Sequence, residues 1–168
     1  MSDSLDRFSR IVKSLAAEQG RGEISIEGEQ GDGGVRAHPF ETRNIHPNLP
    51  PKVRRLYDDG HWETAVFEAF KFVEKEVKRA SGLRGKTGYA LMMAAFNEDN
   101  ALIKLNNLTT ESEIDEQRGY KHMFAGSSAG IRNPRGHEVD LGDTPDEALD
   151  YLALASILLR KLDAADLR

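Results

Sequence analysis

The sequence predicts an all-α protein: an antiparallel bundle of four to five helices with an N-terminal helical extension. Three observations carry this. Val66, Phe70, Val73 and Val77 recur every three or four residues within 61–81, a stripe that one helix face buries. Two capping boxes, Thr110 with Glu113 and Thr144 with Glu147, open two further helices. The linkers between these segments are short, which makes neighbouring helices antiparallel.

Along the chain, Leu5, Phe8, Ile11, Val12 and Leu15 have helical spacing, and Gly20 is a stop. Ile24 and Ile26 alternate with polar residues, as in a short strand, and Gly28–Gly34 has the composition of a flexible linker. Residues 1–40 therefore read as an appendage and residues 41–168 as the bundle. Deleting 1–34 is expected to leave the bundle folded. Pro50 or Pro51 suits the first turn of a short helix with Val53, Leu56 and Tyr57 on its apolar side and Gly60 at its end. In the long helix 61–81, Lys71, Lys75 and Lys78 share another face. Glu68, Glu74 and Glu76 interleave with them, so this reads as a solvated charged face, with RNA contact as the alternative. Tyr89–Phe96 is a short apolar helix whose Met92 and Met93 belong to the core. Ala101–Leu105 reads as a short strand or an extended arm. The helix opened by Thr110 runs to about Gly130 and is expected to end near Arg132, because Pro134 biases Asn133 away from the α region. In the last helix Leu149, Leu152, Leu154, Ile157, Leu158 and Leu159 surround the axis, so it is either central or shared with a second subunit.

The 168 residues suffice for one domain with a real core, and 39% apolar against 30% charged residues fits a small helical protein with much exposed surface. No window is apolar enough to cross a membrane, and Met1–Ser4 does not begin a signal peptide, so a cytoplasmic location is expected. The absence of cysteine excludes disulfides and thiolate metal sites. A net charge of -5 argues against tight nonspecific binding to long nucleic acid, yet is compatible with a local basic groove.

Chemistry concentrates in Arg132-Asn133-Pro134-Arg135-Gly136-His137. Arginine offers a fixed charge and a fork of donors that suits phosphate. Histidine moves protons near neutral pH. RNA carries its own nucleophile, the 2′-hydroxyl, so an enzyme needs only to take that proton, hold the phosphate charge and protonate the leaving 5′-oxygen. His137 suits the proton transfer, Arg132 the phosphate, and Asn133 the orientation of phosphate or imidazole. Arg135 is a second phosphate contact or a solvated loop residue. One base and one cation leave the opposite proton transfer without a group. A symmetric dimer would supply it by placing two Arg–His pairs in one cleft. The small run Gly126–Gly130 leaves room for RNA or a second subunit, or packs tightly against another helix.

Other polar clusters carry less. Arg43-Asn44-Ile45-His46 imitates the motif at too short a spacing, and His46 before Pro47 reads as a loop-fixing residue. His38, His46, His61, His122 and His137 form no metal-ligand spacing, and no cofactor is implied. His61 starts the long helix beside Trp62, with a supporting role at the site as the alternative. Glu138 and Asp140 flank His137 and read as solvated. Glu68 and Glu74 read as solvated or capping, with orientation of an active-site side chain as the alternative.

The Arg-x4-His motif at the end of a bundle helix, with Asn after the Arg, resembles the HEPN superfamily (higher eukaryotes and prokaryotes nucleotide-binding). The chain is more closely similar to its bacterial Ymh-type family of uncharacterised proteins. The resemblance runs from His46-Pro47 through Leu56-Tyr57, Gly60-His61-Trp62, Ala65–Phe70, Leu91-Met92, Ala95-Phe96 and Gly126–His137 to Leu158–Arg160 with Leu162-Asp163. It implies a four- or five-helix bundle and a metal-independent endoribonuclease that dimerises so that motif residues meet. It also implies a role as a toxin or phage-defence effector, with an antitoxin or regulatory partner. On that basis Arg132 and His137 are catalytic and Asn133 supporting. Other superfamily members only bind RNA, nucleotides or proteins, so a non-catalytic dimeric module is the alternative.

Overall fold

A computed structural model of the chain describes residues 37–137 and 141–165, and all regular structure among them is helical. The expected N-terminal helix, strand and glycine-rich linker, with Glu138 and Asp140, lie outside the described residues.

Helix α1, Pro39–Thr42, is a single turn that the sequence pattern did not announce. Its Phe40 sits 5.3 Å from the Tyr57 ring, and His38 Nε2 meets Asp58 Oδ1 at 2.7 Å, so this turn is fastened to α2. Helix α2, Pro51–Asp58, starts on Pro51, where a missing N–H costs nothing, and buries Val53 and Tyr57 as expected. The turn after it passes through Gly60 at φ +80°, a left-handed conformation that glycine adopts without strain.

His46 fixes the loop between α1 and α2. Its ring Nδ1 accepts from the Asn48 N–H at 3.2 Å, which leaves Nε2 to donate to Asp163 Oδ2 at 2.7 Å. Its own N–H donates to Ser156 Oγ at 2.9 Å. The side chain is buried, so the loop is pinned to the last helix through satisfied polar groups.

Helix α3, Trp62–Ser81, buries Ala65, Val66, Ala69, Phe70, Val73 and Val77 on the predicted stripe and ends on Gly82 in the left-handed region. Helix α4, Gly88–Ala95, places Met92 in the core with Met93 partly buried beside it. At the end of α4, Phe96 stacks on Phe124 with ring centroids 4.3 Å apart.

Residues 101–105 form neither a strand nor a free arm. Ile103 and Leu105 are buried in an irregular segment whose backbone is held by the Ala95 carbonyl, which accepts from the Leu102 and Ile103 N–H groups, and by one side chain. Gln117 Oε1 accepts from the Leu105 N–H at 3.0 Å, and its Nε2 donates to the carbonyls of Phe96 and Ile103 at 3.1 and 2.9 Å.

Helix α5, Glu111–Ser127, begins with the expected box: Thr110 Oγ1 accepts from the Glu113 N–H at 3.2 Å and Glu113 Oε2 from the Thr110 N–H at 3.1 Å. Next to it, Glu98 accepts from Arg118 Nε at 2.8 Å and Lys121 Nζ at 2.5 Å. These hydrogen bonds, Lys121 first, lower the Glu98 pKa from 4.5 to about 2. A carboxylate with a depressed folded-state pKa stabilises the fold above its unfolded value and loses that contribution as pH falls. Stability should therefore drop between pH 4.5 and about 2, and Glu98→Gln should flatten that part of a denaturation-midpoint profile. An unchanged profile in the variant would show the cluster to be energetically silent.

The helix does not stop at Arg132. Ser128–Arg132 is a π-helical turn, closed by the Asn133 N–H donating to the Ser128 carbonyl, and helix α6 follows at Asn133–His137. Asn133 stays in the α region at φ -64°, ψ -46°, against the bias that Pro134 exerts. The five-residue π register explains this: Pro134 enters as the second residue of a new α turn, where its missing N–H matters little. The motif is thus helical rather than a proline-fixed loop.

Helix α7, Pro145–Ala164, opens on its capping box, Thr144 Oγ1 accepting from the Glu147 N–H at 3.3 Å. It buries Leu149, Leu152, Leu158, Leu159 and Leu162, with Leu154 partly covered and Ile157 47% exposed. Most of its circumference is accounted for inside one chain, which makes it a central helix, packed chiefly on α3. Among the described residues no helix is long and apolar enough to cross a membrane.

Candidate functional site

The π turn and α6 lie against α3, and the contact is built on Phe67. A Cβ on Gly136 would meet Phe67 Cε2 at 2.9 Å, so only glycine admits this approach without a shift of the ring. Arg132, four residues earlier and hence on the same side of the helix, carries its guanidinium carbon 5.5 Å from the centre of that ring.

The arginine is oriented from three directions. Asn133 Oδ1 accepts from Arg132 Nη1 at 2.9 Å. Glu74 on α3 turns its buried carboxylate towards Arg132, with Oε2 and Nε facing at 4.0 Å. That separation exceeds a hydrogen bond, and both atoms are buried without a hydrogen-bond partner. Nη2 makes no hydrogen bond to any described residue, so one face of the fork stays open.

Arg132 lines an open groove of about 460 Å³ along α3. Its walls include Pro50, Lys52, Phe72, Lys71, Lys75 and Lys78, together with Glu68 and Glu74. Glu68 bridges Lys52 at 2.5 Å and Lys71 at 3.4 Å. Burial tends to raise its pKa, but those two lysines prevail and hold it below the usual carboxylate value.

His137 ends α6, exposed, with no hydrogen bond to a described residue. Five residues separate it from Arg132, about 140° around a regular helix, so the two side chains leave the axis in different directions. Within one chain the motif brings Arg132 and Asn133 together and leaves His137 apart.

Arg135 is neither solvated nor open. Its fork grips Asp143 through Nε–Oδ2 at 2.7 Å and Nη2–Oδ1 at 2.6 Å, and Nη1 donates to the Ile131 carbonyl at 3.0 Å. Its guanidinium lies 4.3 Å from the Tyr151 ring centre. Burial works against its charge, but Asp143 and Tyr151 outweigh that and raise its pKa. These bonds fasten α6 to the start of α7, a different role from the phosphate contact that the sequence suggested. The small run divides: Ser127 and Ser128 are buried, while Gly126, Ala129 and Gly130 are exposed, with nothing within 4 Å of a Cβ on either glycine.

In the sequence, Glu74 reads as solvated or capping and Phe67 carries no mark of a site residue. Their spacing held the signal: Phe67 and Glu74 are seven apart, two turns along one face of α3.

Fold and site together define a small helical-bundle protein with a cationic groove lined by a half-buried, oriented arginine. Residues 43–162 match the family described as Protein of unknown function (Hypoth_ymh), and the chain belongs to that family. No curated protein and no solved structure matches it.

Proposed function

We propose that the chain is a HEPN-type, metal-independent endoribonuclease that works as a homodimer with a composite site, in the setting of a toxin or phage-defence effector. The observation that carries this reading is the Arg132 fork. It is held by Asn133, Glu74 and Phe67 with Nη2 open at a groove, an arrangement suited to an oxyanion. In the reaction, a His137 imidazole takes the 2′-hydroxyl proton and the 2′-oxygen attacks phosphorus. The bond to the 5′-oxygen breaks, and a second His137 returns a proton to it. The product strand ends in a 2′,3′-cyclic phosphate or, after hydrolysis, a 3′-phosphate.

The angular separation of Arg132 and His137 on one helix favours a shared site over a single-chain one. The open side at Gly126 and Gly130 gives a second subunit or RNA room to approach. The same separation also favours the rival reading, a dimeric module that binds RNA, nucleotide or a protein without cleaving.

Incubating the full chain with single-stranded RNA in EDTA distinguishes the two. The nuclease reading expects cleavage unaffected by chelator, cyclic-phosphate ends, and survival of the matching DNA, which lacks the 2′-hydroxyl. Light scattering at micromolar concentration should report a dimer. Binding without cleavage across varied RNAs would replace the nuclease with the binding module, and a monomer that cleaves would remove the composite site.

A further inference from the structure

The groove along α3 holds five cationic side chains, Lys52, Lys71, Lys75, Lys78 and Arg132, against two carboxylates, Glu68 and Glu74. This local excess stands on a chain whose net charge is -5. Glu68 offsets Lys52 and Lys71, and Glu74 faces Arg132. Lys75 and Lys78 form no ion pair with any described residue. The carboxylates are therefore spent on Lys52, Lys71 and Arg132, and the uncompensated charge lies beyond them, at Lys75 and Lys78 towards the C-terminal end of α3.

Lys71, Lys75 and Lys78 follow one another at intervals of four and three, a row of about 10 Å along the helix axis. A row of flexible point charges of this length follows a chain of phosphates and carries no base-reading geometry. Beside the row, facing Glu74, stands the open Arg132 fork, whose buried Nε still lacks a hydrogen-bond partner. Lysines that collect phosphates beside an arginine that grips one of them form a positively charged groove that tracks a backbone, one of the two parts that sequence-tolerant single-strand binders combine.

We infer that this groove is the binding track for single-stranded RNA, with the phosphates of the flanking nucleotides on Lys71, Lys75 and Lys78 leading to the scissile phosphate at Arg132. This assignment deepens the nuclease reading and rests on it only for the word scissile; binding of the strand to the groove can be measured without cleavage.

The test uses full-length His137→Ala protein, to keep the strand intact, and a fluorescein-labelled single-stranded RNA of about twelve nucleotides, within the range that sequence-tolerant single-strand sites cover. Anisotropy titrations at several salt concentrations compare three variants with this parent. In the Lys75→Glu/Lys78→Glu variant, binding should weaken at least tenfold. An Arg55→Glu/Lys104→Glu variant makes the same charge change at two exposed positions outside the groove and should bind nearly as the parent does. In the milder Lys75→Ala/Lys78→Ala variant, the slope of log affinity on log salt should fall by about 1.4, two single-strand phosphate contacts. Thermal melts accompany each variant, and the alanine pair serves where the reversal perturbs folding.

Equal affinity for parent and groove variants overturns the track. So does an equal loss in the control variant, which would mean diffuse attraction. Displacement of the strand by micromolar inorganic triphosphate would also overturn it, in favour of a nucleotide-sized anion site. If wild-type protein cleaves RNA while groove variants bind normally, the track fails and the nuclease stands. If the groove variants lose binding and no protein cleaves, the track stands and the nuclease fails.

Discussion

His137→Ala is expected to lower RNA cleavage by about 10²-fold or more, the usual worth of general acid–base catalysis, while leaving the melting temperature close to wild type. The second half follows from structure: His137 is exposed at the end of α6 and takes no part in the core, so its loss removes little packing. Arg132→Ala should lose activity on a similar scale, because the oxyanion would face Glu74 without its counter-charge. Arg132→Lys should recover only part of it. An ammonium can supply charge, but cannot accept orientation by Asn133 on one nitrogen while presenting another to phosphate. In a composite dimer, mixing the His137→Ala and Arg132→Ala proteins should restore some cleavage, since some heterodimers would keep one intact Arg–His pair. Equal cleavage by wild type and His137→Ala would remove histidine from the mechanism. Absence of recovery on mixing, with exchange of subunits demonstrated, would argue for sites confined to single chains.

Gln117→Leu should give the largest loss of stability of any polar substitution, about 3 kcal/mol or more, since each buried backbone group left without a partner costs roughly 1–3 kcal/mol. Gln117 is fully buried and serves three of them: the Leu105 N–H and the carbonyls of Phe96 and Ile103. Leucine fills the volume but returns none of those bonds. Gln117→Glu tests the same point differently, because a carboxylate keeps the acceptor for Leu105 but loses the donor to both carbonyls. Urea denaturation reads both variants. A Gln117→Leu midpoint within error of wild type would mean that water reaches the 103–105 segment and replaces the side chain.

The parts of the fold that were legible in the sequence are those where a local rule and burial agree. The stripe Val66, Phe70, Val73 and Val77 announces α3, and the Thr–x–x–Glu boxes mark the heads of α5 and α7 to the residue. Gln117 was not legible, because a glutamine within a polar helix gives no sign of facing inward until the 101–105 segment folds over it. Nor was the π turn, which is a change in hydrogen-bond register with no composition of its own; Pro134 argued for a stop, and the register shift absorbed it. At the candidate site, Arg132, Asn133 and His137 stand out by residue type alone. The surroundings of Arg132 depend instead on how α6 docks against α3. Glu74 looks like one more carboxylate on a charged face until Gly136 lets the two helices approach at Phe67. Arg135 shows the converse: a cation conspicuous in sequence that the fold spends on Asp143.

The π turn at Ser128–Arg132 also sets the direction in which the motif faces. A turn of this kind holds one residue more than an α turn, inside a helix whose two ends are committed to packing. Upstream, Phe124 and Ala125 keep their place in the core; downstream, everything is rotated by about one residue, roughly 100°. In an unbroken α register the Arg132 side chain would leave the axis away from Glu74 and the groove, and Gly136 would lose its seat on Phe67.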